Sequence, residues 1–205
     1  MIEMGGSASG AVLRPVAAPP GAAQSTLGEL AKRASTDDLA FRELYDRIKR
    51  PVYTFLFRMV GHMGEAEELM QETLLKVHRN LSRLNSEESF LGWTFSIARN
   101  TAISHLRKKR PRVEPIEEVA EPASAFSEHA AAEVSVDLQR ILLRIPPRYR
   151  SIFILGVIEQ REYADIARMS GKSLAAVKTD IHRAREMVRE QWLRLRDGKS
   201  GGNGV

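Results

Sequence analysis

The chain contains no cysteine. A disulfide framework and thiolate metal sites are thereby excluded, and the usage fits a reducing compartment. No run of about 18 apolar residues occurs, so no membrane-spanning segment is expected. The signatures of common enzymes are missing too. The five histidines, His62, His78, His105, His129 and His182, are scattered, and none has the HExxH spacing of a zinc protease. There is no GxxxxGK[ST] phosphate loop and no GxSxG nucleophile elbow. Asp180 and His182 lie two residues apart, so on a helix their side chains diverge by about 200° and form no dyad. The expectation is a chain that is no enzyme and needs no metal or cofactor.

What is present is basic and unevenly charged. The 205 residues carry a formal net charge of +5, which favours an anionic partner. Chain length allows one ordinary domain or two small ones with thin cores. Residues 1–26 are rich in Ala, Gly, Pro and Ser, and Arg14, Pro15, Pro19 and Pro20 interrupt any signal-peptide core. They are expected to be a disordered tail, as are 197–205. Between Val113 and Asp137 stand seven acidic residues and no Lys or Arg. With Pro115, Pro122 and several alanines, that stretch reads as an acidic linker, placed at 113–136. It separates a module at 27–112 from one at 137–196. A basic run from His105 through Arg107, Lys108, Lys109 and Arg110 precedes it. Residues 138–197 then hold thirteen Arg or Lys against seven Asp or Glu. A linker of this length extends to at most about 80 Å at roughly 3.3 Å per residue, enough for two modules to reach separate segments of duplex.

The second module carries a helix-turn-helix pattern, YADIARMSGKSLAAVKTDIHRAR (163–185). Ile166 and Ala167 fall on the inner face of a first short helix. Gly171 sits where the chain turns sharply, a position that often needs positive φ. Ser173 is placed to cap a second helix beginning near Leu174. Val177 and Ile181 form its inward i, i+4 seam. Lys178, Thr179, His182, Arg183 and Arg185 are left on other faces, some of which can enter a major groove about 12 Å wide. Duplex DNA is the partner this pattern suggests; an ordinary αα-hairpin with a solvated basic face is the plain alternative.

The first module reads as helical throughout. Phe41, Leu44, Tyr45, Ile48, Val52, Phe55, Leu56 and Met59 keep helical spacing across Pro51, which should kink or divide the helix. Gly61 and Gly64 should end it. From Glu65 to Asn80, Ala66, Leu69, Met70, Thr73 and Val77 form the buried stripe, leaving Glu65, Glu67, Glu68, Gln71 and Glu72 as an acidic face suited to the helix dipole. A third helix, about Glu88 to Lys109, has Leu91, Phe95, Ala98, Ala102 and Leu106 as one inward set. Trp93, Arg99, Asn100, His105 and Arg107 lie near its other faces. Such a mixture stacks on unpaired bases while its charges follow the phosphates, although Trp93 and Phe95 are equally readable as core.

Four blocks in order carry a family resemblance: FRELYDRIKRPVYTFLFRMVG (41–61), EAEELMQETLLKVHRNL (65–81), SFLGWTFSIARNTAISHLRKKR (89–110) and LLRIPPRYRSIFILGVIEQREYADIARMSGKSLAAVKTDIHRAR (142–185). Together they resemble a bacterial extracytoplasmic-function sigma factor of the sigma-70 family. The resemblance implies an all-α chain of two small helical domains, sigma regions 2 and 4, joined by a flexible acidic linker. It further implies a stress-response initiation factor, cytoplasmic and nucleoid-associated when active. Such a factor binds the β′ clamp and β flap of core RNA polymerase and recognises promoter DNA as duplex at −35 and as melted strand at −10. It also implies an anti-sigma partner, in some cases at the inner membrane.

Residue roles follow from the same resemblance. Glu65, Glu68, Leu69, Gln71 and Glu72 become candidate polymerase contacts. Asn85, Ser86, Trp93, Arg99, Asn100, His105, Arg107 and Lys108 become candidates for the −10 strand, with a base held out of the stack. Arg148, Arg150, Ser173, Lys178, Thr179, His182, Arg183 and Arg185 become candidates for the −35 duplex, where phosphate contacts set register and base-edge contacts set preference. Two departures stand out. The family often has Asp where Ser104 stands, and Gly-Thr where Ala175 and Ala176 stand. The alanines favour helix formation but alter the contacts available there. A free-standing dimeric helix-turn-helix regulator is the alternative, yet no heptad seam follows His182; Val188, Trp192 and Leu195 look like a packing stripe for the same module.

Overall fold

The computed structural model describes residues 26–81, 84, 90–109 and 136–200, with side chains to 197. Every regular element among the described residues is helical. The first four helices are α1 (Leu27–Arg33), α2 (Asp38–Val60), α3 (Met63–Asn80) and α4 (Phe90–Lys108). The rest are α5 (Val136–Arg144), α6 (Pro147–Phe153), a π-helical segment (Ile154–Ile158), α7 (Tyr163–Ser170) and α8 (Leu174–Ser200).

Local chemistry sets most of the boundaries. Thr26 and Glu29 form a reciprocal capping box at α1. The Asp37 carboxylate accepts the Leu39 and Ala40 amides at the start of α2. Gly61 ends α2 in the left-handed region at φ 76°, donating its N–H to the Phe57 carbonyl. Gly64 is not a second breaker. It lies in the first turn of α3, which starts at Met63 because His62 Nδ1 caps the Glu65 amide. Nor does Pro51 divide α2, which continues to Val60. Proline removes one amide donor, but Ile48, Val52, Phe55, Leu56 and Met59 are all buried around it, and their packing outweighs that loss.

Around α2 pack α1, α3 and α4 from the first half of the chain. Phe55 and Phe95 meet edge to face, with centroids 5.5 Å apart. In the second half α6 and α7 pack on α8, where Val177, Ile181 and Ala184 are buried. The two halves do not stay apart. Helices α5 and α6 lie against α2, and α6 and α7 lie against α4, so one continuous apolar core runs through both. The acidic linker falls almost wholly outside the described residues. At the C-terminus α8 reaches Ser200, so the tail expected from 197 is helical over its first four residues. Once a helix is nucleated each further residue adds a hydrogen bond, and Gly198 alone does not stop it.

Candidate nucleic-acid and polymerase interfaces

The helix-turn-helix forms as its sequence predicts. Gly171 closes α7 at φ 66°, in the left-handed region. The Ser173 hydroxyl accepts the Ala176 amide at 3.2 Å, and α8 begins at Leu174. Ile166, Val177 and Ile181 are buried, while Ala167 packs partly buried beside them. Asp180 does not face His182; it bonds Lys172 across the turn, tying the two helices together. His182 pairs instead with Glu186, one turn on, at 3.3 Å. Ser173, Lys178, Thr179, His182, Arg183 and Arg185 are all exposed, so the outward face of α8 is free to meet a groove. Arg148 is exposed beside it, stacked on the Tyr149 ring and donating to its hydroxyl at 2.7 Å.

Arg150 has a different place from the one its sequence position suggested. It is 4% exposed. Its guanidinium donates to the carbonyl oxygens of Ile145 and Leu143, at 3.0 and 2.8 Å, and to that of Met59 on α2. Burial pushes its pKa down to about 10. This arginine closes the C-terminus of α5 and is no surface for phosphate.

Between α3 and α4 opens a cleft of about 500 Å3, lined by Lys76, Asn80, Trp93, Ile97, Asn100 and Thr101. That volume falls in the usual range of small-ligand clefts, about 300–1,000 Å3. Trp93 offers a ring and Asn100 an exposed amide, while Lys76 donates to Thr101 Oγ1 at 3.0 Å and to Glu72 at 2.6 Å. The sequence reading placed Trp93 and Asn100 here but missed Lys76, Asn80, Ile97 and Thr101. Lys76 and Asn80 are an i, i+4 polar pair on α3, a spacing that marks one helix face. Asn85 and Ser86 lie outside the described residues.

Arg99 also differs from expectation. It is 7% exposed and points away from the cleft's open side, its Nε donating to Ser151 Oγ of α6 at 3.1 Å. Burial lowers its pKa, and the nearby Asp180 carboxylate partly opposes that shift. The helical periodicity of α4 turns this position toward the second half of the chain. His105, half-buried, meets Glu65 Oε2 at 2.9 Å, and Lys109 meets the other carboxylate oxygen. Although burial acts to raise the Glu65 pKa, hydrogen bonds and charge from Lys109 and His105 hold it below the usual range. Glu65 and His105 thus bind each other rather than separate partners, whereas Arg107 and Lys108 are exposed.

On α3, Glu68, Gln71 and Glu72 present an exposed polar ridge. Leu69 does not belong to it. At 2% exposure it belongs to the buried stripe with Ala66, Met70 and Val77, and a partner could not reach it without opening the core. Among the described residues, no group of three or more His, Asp or Glu is arranged to hold a metal ion. No helix among them is long and apolar enough to cross a membrane.

The likeness to known proteins covers both halves. Residues 44–112 match the family model "Sigma-70 region 2", and residues 135–188 match "Sigma-70, region 4". The ECF RNA polymerase sigma factor SigW of Bacillus subtilis is 31% identical over 174 residues, spanning 78% of this chain and 91% of the relative. RNA polymerase sigma factor CarQ of Myxococcus xanthus is 32% identical over 153 residues, 74% of this chain and 88% of the relative. Two solved structures share the fold. CnrH, in complex with the cytosolic domain of CnrY, gives a TM-score of 0.60 at 21% identity, over 80% of this chain and 94% of that one. The sigma factor RpoE of Bartonella quintana, in complex with the anti-sigma factor NepR, gives 0.61 at 21% identity, over 74% and 96%. With regions 2 and 4 matched in order and a relative of this identity across most of both chains, the protein belongs to the extracytoplasmic-function RNA polymerase sigma factors and is an alternative sigma factor of the sigma-70 family.

Proposed function

We propose that the two faces divide promoter recognition between them, and that a third docks the chain on polymerase. The observation that carries this reading is the pairing, in one chain, of a capped helix-turn-helix whose exposed side is basic with a cleft built around Trp93. Lys178, His182 and Arg183 meet base edges of the −35 duplex, while Arg148, Thr179 and Arg185 meet its phosphates and Ser173 sets the helix start. At −10 an unstacked base enters the cleft, stacking on Trp93 with Asn100 and Lys76 at its polar edge, while Arg107 and Lys108 follow the strand. Glu68, Gln71 and Glu72 form the contact with the polymerase clamp. Phosphodiester chemistry belongs to the polymerase; this chain positions and melts DNA.

The solved structures with a similar fold contain inhibitory or cytosolic partners, which supports an anti-sigma partner here as well. The factor then works in the cytoplasm on the nucleoid, and is held at the inner membrane if that partner is membrane-bound. The test is gel filtration with bacterial core RNA polymerase, comparing the native chain with a Glu68→Ala, Glu72→Ala double variant. Leu69 is left intact, since its loss would damage the core. Co-elution that the double variant loses supports the docking face. Failure of the folded native chain to co-elute would refute the proposal.

A further inference from the structure

The contacts that join the two halves are polar and charged to an unusual degree. Arg58 Nη1 of α2 meets Glu159 Oε1 at 2.6 Å, the side chains being 10% and 20% exposed and 101 residues apart in sequence. Gln139 of α5 donates to the carbonyls of Phe57 and Arg58 at 3.3 and 3.4 Å. Arg99 reaches Ser151, and Arg150 reaches the Met59 carbonyl. Close approach at two glycines completes the seam: a Cβ on Gly61 would stand 2.5 Å from Leu143, and one on Gly92 would stand 3.2 Å from Met169. Surfaces held by charge and hydrogen bonds survive exposure to water better than an apolar core does, which is the character of separable domain interfaces.

Size makes the consequence concrete. The −35 and −10 elements lie about 25 base pairs apart, roughly 85 Å at ~3.4 Å per base pair. A compact body of about 150 residues is only about 40 Å across. With α7 packed on α4, the reading face of α8 and the Trp93 cleft belong to one such body and cannot reach both elements of a duplex at once.

We propose that the seam is a self-closing latch: Arg58 and Glu159 clasp the two halves together, holding Arg99 away from DNA, and the factor must open there before it can engage a promoter. The geometric part stands on the seam alone; the DNA consequence rests on the promoter-reading roles proposed above. Glu159 is the clasp because it leaves the π-helical segment at the one point where the second half offers a carboxylate to α2. The neighbouring Gln160, at φ 51°, holds the chain in a left-handed conformation that fixes the approach.

Because the chain has no cysteine, Arg79→Cys and Arg189→Cys introduce two spin labels on exposed turns of α3 and α8 without side reactions. The full chain should give one narrow inter-label distance. Arg58→Glu and, separately, Glu159→Arg should broaden it to longer distances, lowering the closed-to-open ratio about tenfold or more. The exchanged pair, Arg58→Glu with Glu159→Arg, should narrow it again, which separates loss of the clasp from loss of folding. Arg58→Glu should also bind a single-stranded oligonucleotide several-fold more tightly although it removes positive charge, and the exchanged pair should return to the native affinity. A broad distribution in the native chain, single variants that stay narrow, or an exchanged pair that stays open would each overturn the latch. Opening without tighter oligonucleotide binding would overturn the sequestering of Arg99. Core-polymerase binding, measured separately, bears on the proposed function alone.

Discussion

Replacing Arg150 should reveal how much a buried, carboxylate-free cation contributes to this fold. Its guanidinium serves the carbonyls of Leu143, Ile145 and Met59, and burial lowers its pKa from 12.5 to about 10. At about 1.4 kcal/mol per pKa unit, keeping the charge costs the folded state roughly 3 kcal/mol. Hydrogen bonds to a charged group return about 1.5–3 kcal/mol each, so three carbonyls offset that cost and leave a surplus. The sign with pH follows. A base with a lowered pKa bears its full burial cost below about pH 10 and is relieved only above it, so between pH 6 and 8 the balance should be flat. Arg150→Leu removes the cost and the bonds together but strands the carbonyls, each worth about 1–3 kcal/mol when buried unpaired. The expected net loss is about 3 kcal/mol. Arg150→Lys, whose compact ammonium cannot reach all three, should lose about 1–2 kcal/mol. Urea unfolding by circular dichroism, with the slope unchanged, measures both. An Arg150→Leu variant within about 0.5 kcal/mol of the native chain would refute the reasoning, since that is the scatter of ordinary surface substitutions.

Glu65 should make stability depend on acid: its lowered pKa means the tie to Lys109 and His105 is fully present above its ordinary value near 4.5 and disappears as the pH falls through the lowered one. The stability gap between the native chain and Glu65→Gln should therefore be open at pH 7 and closed near pH 3, as urea titrations at the two pH values would reveal. Gly171→Ala should cost about 1 kcal/mol from backbone strain alone, since a Cβ there would meet nothing within 4 Å. Gly171→Asn should cost less, and equal thermal midpoints for the two would count against this account. Trp93→Ala should weaken binding of an unpaired −10 strand by about 1–3 kcal/mol while leaving binding of a −35 duplex unchanged; fluorescence anisotropy with each probe decides.

Local patterns were readable where one helix contains the whole signal. Gly171, Ser173, Val177 and Ile181 occupy the roles that their spacing implies because cap, turn and seam all lie within nine residues of one another. The apolar stripes of α2 and α3 were readable for the same reason. Leu69 illustrates the limit, since a motif resemblance placed it among partner contacts while its own periodicity buried it, and the periodicity prevailed. Arg99 and Arg150 were read as DNA contacts because an arginine in a basic module is normally solvated. Their true partners, Ser151 and Met59, lie 52 and 91 residues away, beyond anything spacing can report. The Glu65–His105 bond, across 40 residues, was hidden likewise. So was the continuity of the core, because the acidic stretch suggests separation and only tertiary packing shows which faces meet.

The π-helical turn at Ile154–Ile158 has a bearing on insertions and deletions in this chain. There the Glu159 amide reaches back five residues to the Ile154 carbonyl, at 2.8 Å, so the turn holds one more residue than an α-helical turn would. Removing a single residue would restore α-helical winding and rotate everything after it by about 100° around the axis. Glu159 would then swing off the bearing of Arg58, and α7 and α8 would inherit the rotation. Shortening this turn by one residue should therefore change the relative orientation of two intact halves, making chain length at this point a setting for their alignment independent of any side chain.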